Sequence, residues 1–185
     1  MYVNASLFNT INGWPGNRLA DNLMIFAAKD LIFLAFVAFL VAAARAYRRR
    51  GLPVLIGSGV TLAFAFGFGL IAASLHTEKR PFQSHHAQLL INHAPGQSFP
   101  SDHATAAFAL ALATLVFLSR PIGAALLAAA VLIGFARIYC GVHYPADILG
   151  SFFVSLLALP IGWAVHNRRL GNHRRTPATA MRRRG

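Results

Sequence analysis

Side chains suited to phosphate chemistry are concentrated in two segments of the chain, residues 76–103 and 137–147. The candidates are Lys79, Arg80, His103, Arg137, His143 and Asp147. Lysine and arginine keep their charge at neutral pH, and a guanidinium forms two-pronged hydrogen bonds to phosphate oxygens. Histidine, with an ordinary pKa near about 6.5, suits a nucleophile or a proton donor. The set therefore predicts an enzyme that acts on a phosphate or a diphosphate.

The two histidines and the aspartate suggest a division of roles. Asp147 follows His143 by four residues, so it reaches that ring either along one helical turn or from the first turn of the next helix. In both cases the carboxylate holds one imidazole nitrogen as N–H and leaves the other free to attack phosphorus, as in hydrolase triads. Arginines can neutralise the developing charge, and carboxylates are too few for a magnesium cage. No metal and no cofactor are predicted.

The composition of the chain indicates a membrane protein. Of 185 residues, 56% are hydrophobic and only 12% are charged, against about 25% in soluble domains. The mean hydropathy is +0.54, and the net charge is +12. These values exclude an ordinary soluble enzyme, a disordered chain and a soluble nucleic-acid-binding protein. The lone cysteine, Cys140, also excludes an intrachain disulfide scaffold.

Long apolar runs predict an all-α integral membrane bundle of about five transmembrane helices. The runs are residues 22–44, 52–75, 104–118, 122–136 and 148–165. The third and fourth runs are too short to span alone, so their helices must continue through His103 and Arg137. A short interfacial helix is predicted at residues 5–12, before the Trp14-Pro15-Gly16 breaker.

Positive charge predicts the orientation of the chain. Arginines cluster after the first run, between the third and fourth runs, and after residue 167, and all of these positions lie on one side of a five-span bundle. By the positive-inside rule this side is cytoplasmic, which places the N-terminus and the two chemical segments outside. Residues 1–167 are predicted to form a single domain, and residues 168–185 a basic, disordered cytoplasmic tail that meets anionic lipid headgroups.

The spacing of the chemical residues resembles the type 2 phosphatidic acid phosphatase superfamily. Its motifs read Lys-x6-Arg-Pro, Pro-Ser-Gly-His and Ser-Arg-x5-His-x3-Asp. This chain has Arg80-Pro81, then Pro100-Ser101-Asp102-His103, then Ala136-Arg137-x5-His143-x3-Asp147. Within the superfamily the chain is similar to the bacitracin-resistance type of undecaprenyl-diphosphate phosphatase, over roughly residues 20–165.

The resemblance implies a role for each matching residue. His143 would form a phosphohistidine, Asp147 would orient it, and His103 would protonate the departing lipid phosphate. The residues that would hold the phosphoryl group are Arg80, Arg137 and Ser101.

The resemblance also implies a substrate, a polyprenyl diphosphate and above all undecaprenyl diphosphate. The enzyme would hydrolyse it to the monophosphate at the outer face of the bacterial inner membrane, without a metal. This reaction would recycle the cell-wall carrier lipid and confer tolerance to bacitracin. Three alternatives stay open at this point: another lipid phosphate (phosphatidylglycerol phosphate or phosphatidate), transfer to an acceptor other than water, and lipid-phosphate transport without catalysis.

Three positions depart from the motifs. Ala73 stands where the family has its lysine, so Lys79 is the candidate replacement for that charge. Asp102 replaces a glycine and is a candidate to orient or tune His103, while Ala136 replaces a serine. Ser101 and Asp102 also suit a purely structural role at the start of the third apolar helix.

A charged pair, Lys29-Asp30, interrupts the first apolar run. Charges inside a span are costly, which favours a functional role at the rim of the site or as a brace for Arg137. Structural pairing inside the bundle is the alternative. The remaining loop histidines, His85, His86 and His93, are interpreted as polar loop residues.

Overall fold

The computed structural model describes residues 2–14, 16–84 and 87–175, and these residues fold into eight α-helices. The helices are α1 Tyr2–Asn12, α2 Arg18–Lys29, α3 Leu31–Arg50, α4 Leu52–Leu75, α5 Pro81–Ser84, α6 Asp102–Ala113, α7 Arg120–Tyr139 and α8 Pro145–Arg175. A π-helical turn, Thr114–Leu118, extends α6. The predicted all-α class is confirmed.

Within the described residues, four helices are long and apolar enough to cross a membrane: α3, α4, α7 and the Pro145–Leu170 part of α8. The fifth apolar helix, Asp102–Leu118, is shorter. It lies in the centre of the bundle, where residues 107–113 are all buried. An apolar surface on every side is what a helix needs when other helices surround it. The helices do continue through His103 and Arg137, as their short apolar runs required.

The first apolar run differs from its prediction, because residues 22–44 do not form one span. Helix α2 ends at Lys29 and α3 begins at Leu31, with Asp30 as the junction. The Asp30 N–H donates to Phe26 O at 2.8 Å, and the Asp30 carbonyl accepts from Phe33 N at 3.0 Å. Both charged side chains are exposed at this junction. The break therefore puts the charges at helix ends instead of inside a span, which avoids the cost of burying them.

Close helix packing in the bundle depends on small residues. Helices α4 and α8 approach so closely at Gly162 that a Cβ there would lie 2.1 Å from Thr61 Oγ1 and 2.6 Å from Gly57 O. Only a residue without a side chain fits this crossing.

The two ends of the chain extend further in helical form than the sequence predicts. Helix α1 covers Tyr2–Asn12 rather than residues 5–12, and Phe8 is buried against Tyr144 with ring centroids 5.3 Å apart. Helix α1 therefore packs on the bundle. Helix α8 continues to Arg175, past residue 167 where the tail was predicted to begin. The rest of that predicted tail, residues 176–185, lies outside the described residues.

Candidate active site

The corner between α7 and α8 carries the centre of the site. The last turn of α7 holds Arg137, the connecting residues 140–144 hold His143, and the first turn of α8 holds Asp147. Of the two arrangements predicted for Asp147, the structure has the second, since α8 begins only at Pro145. The corner depends on Gly141, whose φ is +82° and whose added Cβ would lie 2.5 Å from Gln88 O. A larger residue would be strained and would collide with the neighbouring segment.

His143 is buried and held from both sides of its ring. Nδ1 lies 2.9 Å from the Ser98 carbonyl oxygen and 3.3 Å from Asp147 Oδ2. Both partners are acceptors, so Nδ1 carries the proton. Nε2 lies 3.0 Å from an Arg80 nitrogen and 3.4 Å from an Arg137 nitrogen, and guanidinium groups can only donate. The partners on both sides of the ring therefore favour the same tautomer. In this tautomer Nε2 is unprotonated, and its electron pair accepts from the arginines.

Asp147 performs a structural and a chemical task with the same oxygen. Its Oδ2 accepts from the Tyr144 N–H at 2.7 Å, while the Asp147 N–H donates to Tyr144 O at 3.0 Å. The carboxylate thus caps the start of α8 as the acidic residue of a capping box does, while a backbone bond takes the place of the second side-chain bond. The Ser98 hydroxyl also donates to Oδ2. The helix end therefore fixes the carboxylate that orients His143.

The two arginines are anchored by backbone carbonyls. An Arg80 nitrogen donates to Val142 O at 3.3 Å, and an Arg137 nitrogen donates to Ala28 O at 3.4 Å. The Nε atoms of both arginines are buried and have no hydrogen-bond partner among the described residues. Each arginine thus keeps one unpaired N–H donor, and its terminal nitrogen near Nε2 of His143 can donate to the oxygens of a phosphoryl group undergoing attack.

Burial dominates the electrostatics of this corner. It lowers the pKa of His143 to about 4, although the hydrogen bond that His143 donates to Asp147 opposes the shift and the charge on Arg137 adds to it. Burial also lowers the pKa of Arg80 from its ordinary value, against the attraction of Asp102 and Asp147. At neutral pH the ring of His143 is therefore neutral and nucleophilic, and the arginines remain charged. Such an arrangement can attack a phosphorus atom and stabilise the charge that develops on its oxygens.

The start of α6 brings His103 to the same site. His103 is half-buried, and it lies within electrostatic range of Arg137, Asp102 and Arg80. Ser101 is fully buried, and its hydroxyl oxygen accepts from the Ala104 N–H at 3.4 Å, as a helix cap. The cap uses only the oxygen as an acceptor, so the hydroxyl hydrogen can still be donated to a phosphate.

Asp102 is the first residue of α6, and its side chain is exposed. Its carboxylate is close enough to attract the positive charges of Arg80, Arg137 and a protonated His103. Its carboxylate accepts no hydrogen bond from the described residues. It contributes negative charge to the rim of the site.

Three predicted residues are not brought to His143. Lys79 is exposed and lines a neighbouring cavity of about 840 Å³ with Glu78 and Tyr144. Lys29 and Asp30 lie at the α2–α3 junction, and neither side chain forms a hydrogen bond or an ion pair within the described part of the chain. The brace on Arg137 is instead the backbone carbonyl of Ala28, from the same helix end.

Sequence reasoning missed three residues that shape the site. The ring of His93, interpreted as a polar loop residue, packs edge-on against His143 with centroids 6.3 Å apart, and burial lowers its pKa. Ser98 contacts both His143 and Asp147. Asn12 of α1 forms hydrogen bonds of 2.8–2.9 Å with the backbone of Gln88 and Tyr139, which flank the corner. No spacing within the sequence marks these contacts, because they join distant segments. His85 and His86 lie outside the described residues.

No three His, Cys, Asp or Glu side chains converge as a metal-binding group in the part of the chain that the structure describes. The site is built from two histidines, two arginines and a carboxylate.

A membrane-embedded helical bundle with this site defines a membrane phosphatase, and the chain belongs to the PAP2 superfamily, whose profile matches residues 55–170. The superfamily resemblance seen in the motifs is therefore confirmed.

Known relatives cover most of the chain. It is 34% identical to undecaprenyl-diphosphatase BcrC of Bacillus subtilis (strain 168) over 84% of this chain and 80% of that protein. It is 36% identical to the putative undecaprenyl-diphosphatase YbjG of Escherichia coli (strain K12) over 84% of this chain and 78% of that protein. The crystal structure of Aquifex aeolicus LpxE has the same fold, with a TM-score of 0.71 at 22% identity, over 88% of this chain and 95% of that chain.

Proposed function

We propose that the protein hydrolyses undecaprenyl diphosphate to undecaprenyl phosphate through a phosphohistidine on His143. The single observation that carries the proposal is the position of His143 between two kinds of partner. Acceptors on one side keep the proton on Nδ1, and arginine donors surround the free electron pair on Nε2. The names of the relatives from Bacillus subtilis and Escherichia coli support a diphosphate as the substrate.

The reaction follows from this geometry in two steps. Nε2 of His143 attacks the terminal phosphorus, a P–N bond forms, and the bond from that phosphorus to the bridging oxygen breaks. The negative charge of the bound diphosphate favours the protonated form of His103. His103 then donates that proton to the departing undecaprenyl phosphate, while Arg80 and Arg137 hold the oxygens of the transferred group. A water molecule then attacks the phosphohistidine and gives its proton to His103. Inorganic phosphate leaves, and His143 returns to its starting tautomer.

Asp147 has its largest effect when the ring becomes positively charged. Phosphorylation of Nε2 makes His143 a cation with the proton still on Nδ1, and the buried carboxylate 3.3 Å away stabilises that cation. No metal is needed for any step, since the two arginines supply the positive charge. The bound lipid keeps its prenyl chain in the bilayer beside the apolar helices.

The arrangement of charge supports a site at the outer face of a bacterial inner membrane, with the C-terminus of the domain in the cytoplasm. Arginines at the end of α3 and the start of α7 lie at the end of the bundle away from His143. By the positive-inside rule that end is cytoplasmic. Hydrolysis outside would return the cell-wall carrier lipid to use and would protect against bacitracin, which sequesters the diphosphate.

The first experiment measures phosphate release from undecaprenyl diphosphate by purified protein in neutral detergent with EDTA. We expect release by the wild type and none by His143→Ala. Failure of the wild type to release phosphate would contradict hydrolysis, and release abolished by EDTA would contradict the metal-free mechanism. A panel with phosphatidylglycerol phosphate and phosphatidate tests the substrate, since comparable turnover of either would overturn the preference for a diphosphate.

The orientation has a separate test. Thr77→Cys lies near the site and Arg48→Cys at the other end of the bundle, and both positions are exposed. The native Cys140 is buried and provides the background. In intact cells, a membrane-impermeant thiol reagent should label Thr77→Cys and spare Arg48→Cys, and the reverse pattern would invert the orientation.

A further inference from the structure

A second cluster of arginines lines a cavity at the opposite end of the bundle from His143. The cavity has a volume of about 530 Å³ and lies between the end of α3, the π-helical turn and the start of α7. Its lining includes Arg45, Arg49 and Arg50, together with Ser119 and Ile122. Along α7, this end lies about 25 Å from Arg137 at the other end.

The arginines meet in the cavity because of their helical spacing. Arg45 and Arg49 are four residues apart and therefore share one face of α3, with Ala42 and Ala46 between and beside them. Arg50 reaches across and donates to the carbonyl oxygen of Leu118. Arg50 thereby ties α3 to the π-helical turn, while the other two guanidinium groups line the cavity.

No carboxylate side chain of the chain can neutralise this cluster. The sequence contains five acidic residues, and the structure places every one of them at the His143 end. Asp21 accepts from the Tyr139 hydroxyl, Glu78 pairs with His76, Asp30 lies at the α2–α3 junction, and Asp102 and Asp147 begin α6 and α8. Neighbouring like charges on a helix repel each other, so an anion bound from outside these residues would stabilise the cluster.

The remaining walls indicate what kind of anion fits. The start of α7 faces the cavity through Ser119 and Ile122, and the Ser119 side chain makes no capping bond to that helix. The positive end of the helix dipole thus adds to the arginine charge. Ala42, Ala46 and Leu118 form an apolar wall beside the charged groups. A phosphate group with an attached apolar chain matches both parts of the surface.

We propose that this cavity binds a phosphate-bearing anion, the headgroup of an anionic phospholipid in the leaflet opposite the His143 site. Arg45 and Arg49 bind the phosphate, and the apolar wall contacts the first carbons of the lipid. The proposal does not depend on the reaction at His143. Free inorganic phosphate has the same charged chemistry, and the experiment separates the two sources.

The test uses purified full-length protein in neutral detergent and measures equilibrium binding of three probes. The probes are short-chain phosphatidylglycerol, short-chain phosphatidylcholine and inorganic phosphate. The proteins are the wild type, the double variant Arg45→Gln/Arg49→Gln, and Arg48→Gln as the matched control. Arg48 belongs to the same helical turn and is exposed but does not line the cavity. Any binding of phosphate groups at the His143 end is common to all three proteins and cancels in the comparison.

We expect the double variant to bind phosphatidylglycerol about tenfold more weakly or worse than the wild type, because charge-assisted hydrogen bonds are lost. Arg48→Gln should match the wild type, and phosphatidylcholine should bind weakly to all three. Phosphate binding as tight as that of phosphatidylglycerol, and equally lost in the double variant, would support the anion cavity with free phosphate as its ligand. Equal binding of phosphatidylglycerol to all three proteins would overturn the proposal, as would equal binding of the two lipids.

A second variant guards against misfolding. Arg45→Lys/Arg49→Lys keeps both charges but loses the planar forks, so it should retain part of the phosphatidylglycerol affinity. The unfolding temperature of each protein without ligand checks that it is folded. A lysine variant that is folded and binds no better than the glutamine variant would contradict recognition through charge.

Discussion

Arginines cluster at both ends of the bundle, but the two ends hold them in different ways. At the His143 end, Arg80 and Arg137 are partly or fully buried, donate to backbone carbonyls, and lie near carboxylates. At the other end, Arg45 and Arg49 are exposed on the surface of one helix with no acidic side chain nearby. One end is a network whose arginines are held by hydrogen bonds, and the other is a cluster of charge on exposed side chains.

This difference indicates what separates a catalytic arginine site from a binding site. Catalysis requires donors directed at the oxygens of a transition state, with little reorganisation during the reaction. Lipid binding tolerates looser donors, since a headgroup can adjust to them. Equivalent substitutions at the two ends should therefore have unequal effects on turnover.

The largest effect is expected from Asp147→Asn, which changes one of the two acceptors that hold the proton on Nδ1 of His143. An amide can donate to Nδ1 and so favour the proton on Nε2, where it removes the nucleophilic electron pair. We expect kcat to fall about 10³- to 10⁴-fold, by the logic of hydrolase triads. Steady-state phosphate release measures it. Glu78→Gln removes the same charge from the same end and should leave kcat nearly unchanged, so similar losses in both variants would mean that charge alone matters.

The direct comparison of the two ends is Arg137→Lys against Arg49→Lys. Lysine keeps the charge at both positions but lacks the planar fork that reaches His143 and Ala28 together. Arg137→Lys should lower kcat about 10²-fold, in the range for loss of one preorganised donor. Arg49→Lys should leave turnover unchanged. Comparable effects of the two substitutions would show that the His143 end is no more preorganised than the other.

A smaller effect is expected from Asn12→Ala, which removes the side chain that joins α1 to the α7–α8 corner. The change leaves backbone groups of Gln88 and Tyr139 without partners, at a cost of about 2 kcal/mol of stability. Thermal unfolding in detergent measures the loss, and turnover should fall a few-fold because the corner shifts. The matched control is Asn9→Ala, an exposed position on the same helix. Equal unfolding temperatures for the two variants would contradict the prediction that α1 stabilises the α7–α8 corner.

The last expected effect is on stability as a function of pH. Burial lowers the pKa of His143 to about 4, below its value of about 6.5 in an unfolded chain. The unfolded state therefore binds more protons between these values, and the stability of the wild type should fall as the pH drops from about 6.5 to about 4. His143→Gln lacks this titration, so its unfolding temperature should decline less over the same range. Parallel declines in the two proteins would contradict a neutral, buried His143.

Several elements of the site could be predicted from the sequence because they depend on local spacing. Arg137, His143 and Asp147 follow one another within eleven residues, so a single helix–turn–helix corner brings them together whatever the rest of the fold does. Ser101 and His103 were predictable in the same way, from their position at the start of an apolar helix. The prediction that Lys29 and Asp30 lie inside a span was wrong, because an apolar run does not reveal where one helix ends and the next begins.

Sequence alone determined the membrane class, the number of apolar runs and the residues able to act on phosphate, because these depend on residue type and short-range periodicity. Only the tertiary structure decided which nitrogen of His143 is free, since Ser98 and Arg80 reach it from other segments. It also decided that Arg45 and Arg49 line a cavity without carboxylates. Both results depend on contacts between residues far apart in the chain, and helix packing sets those contacts.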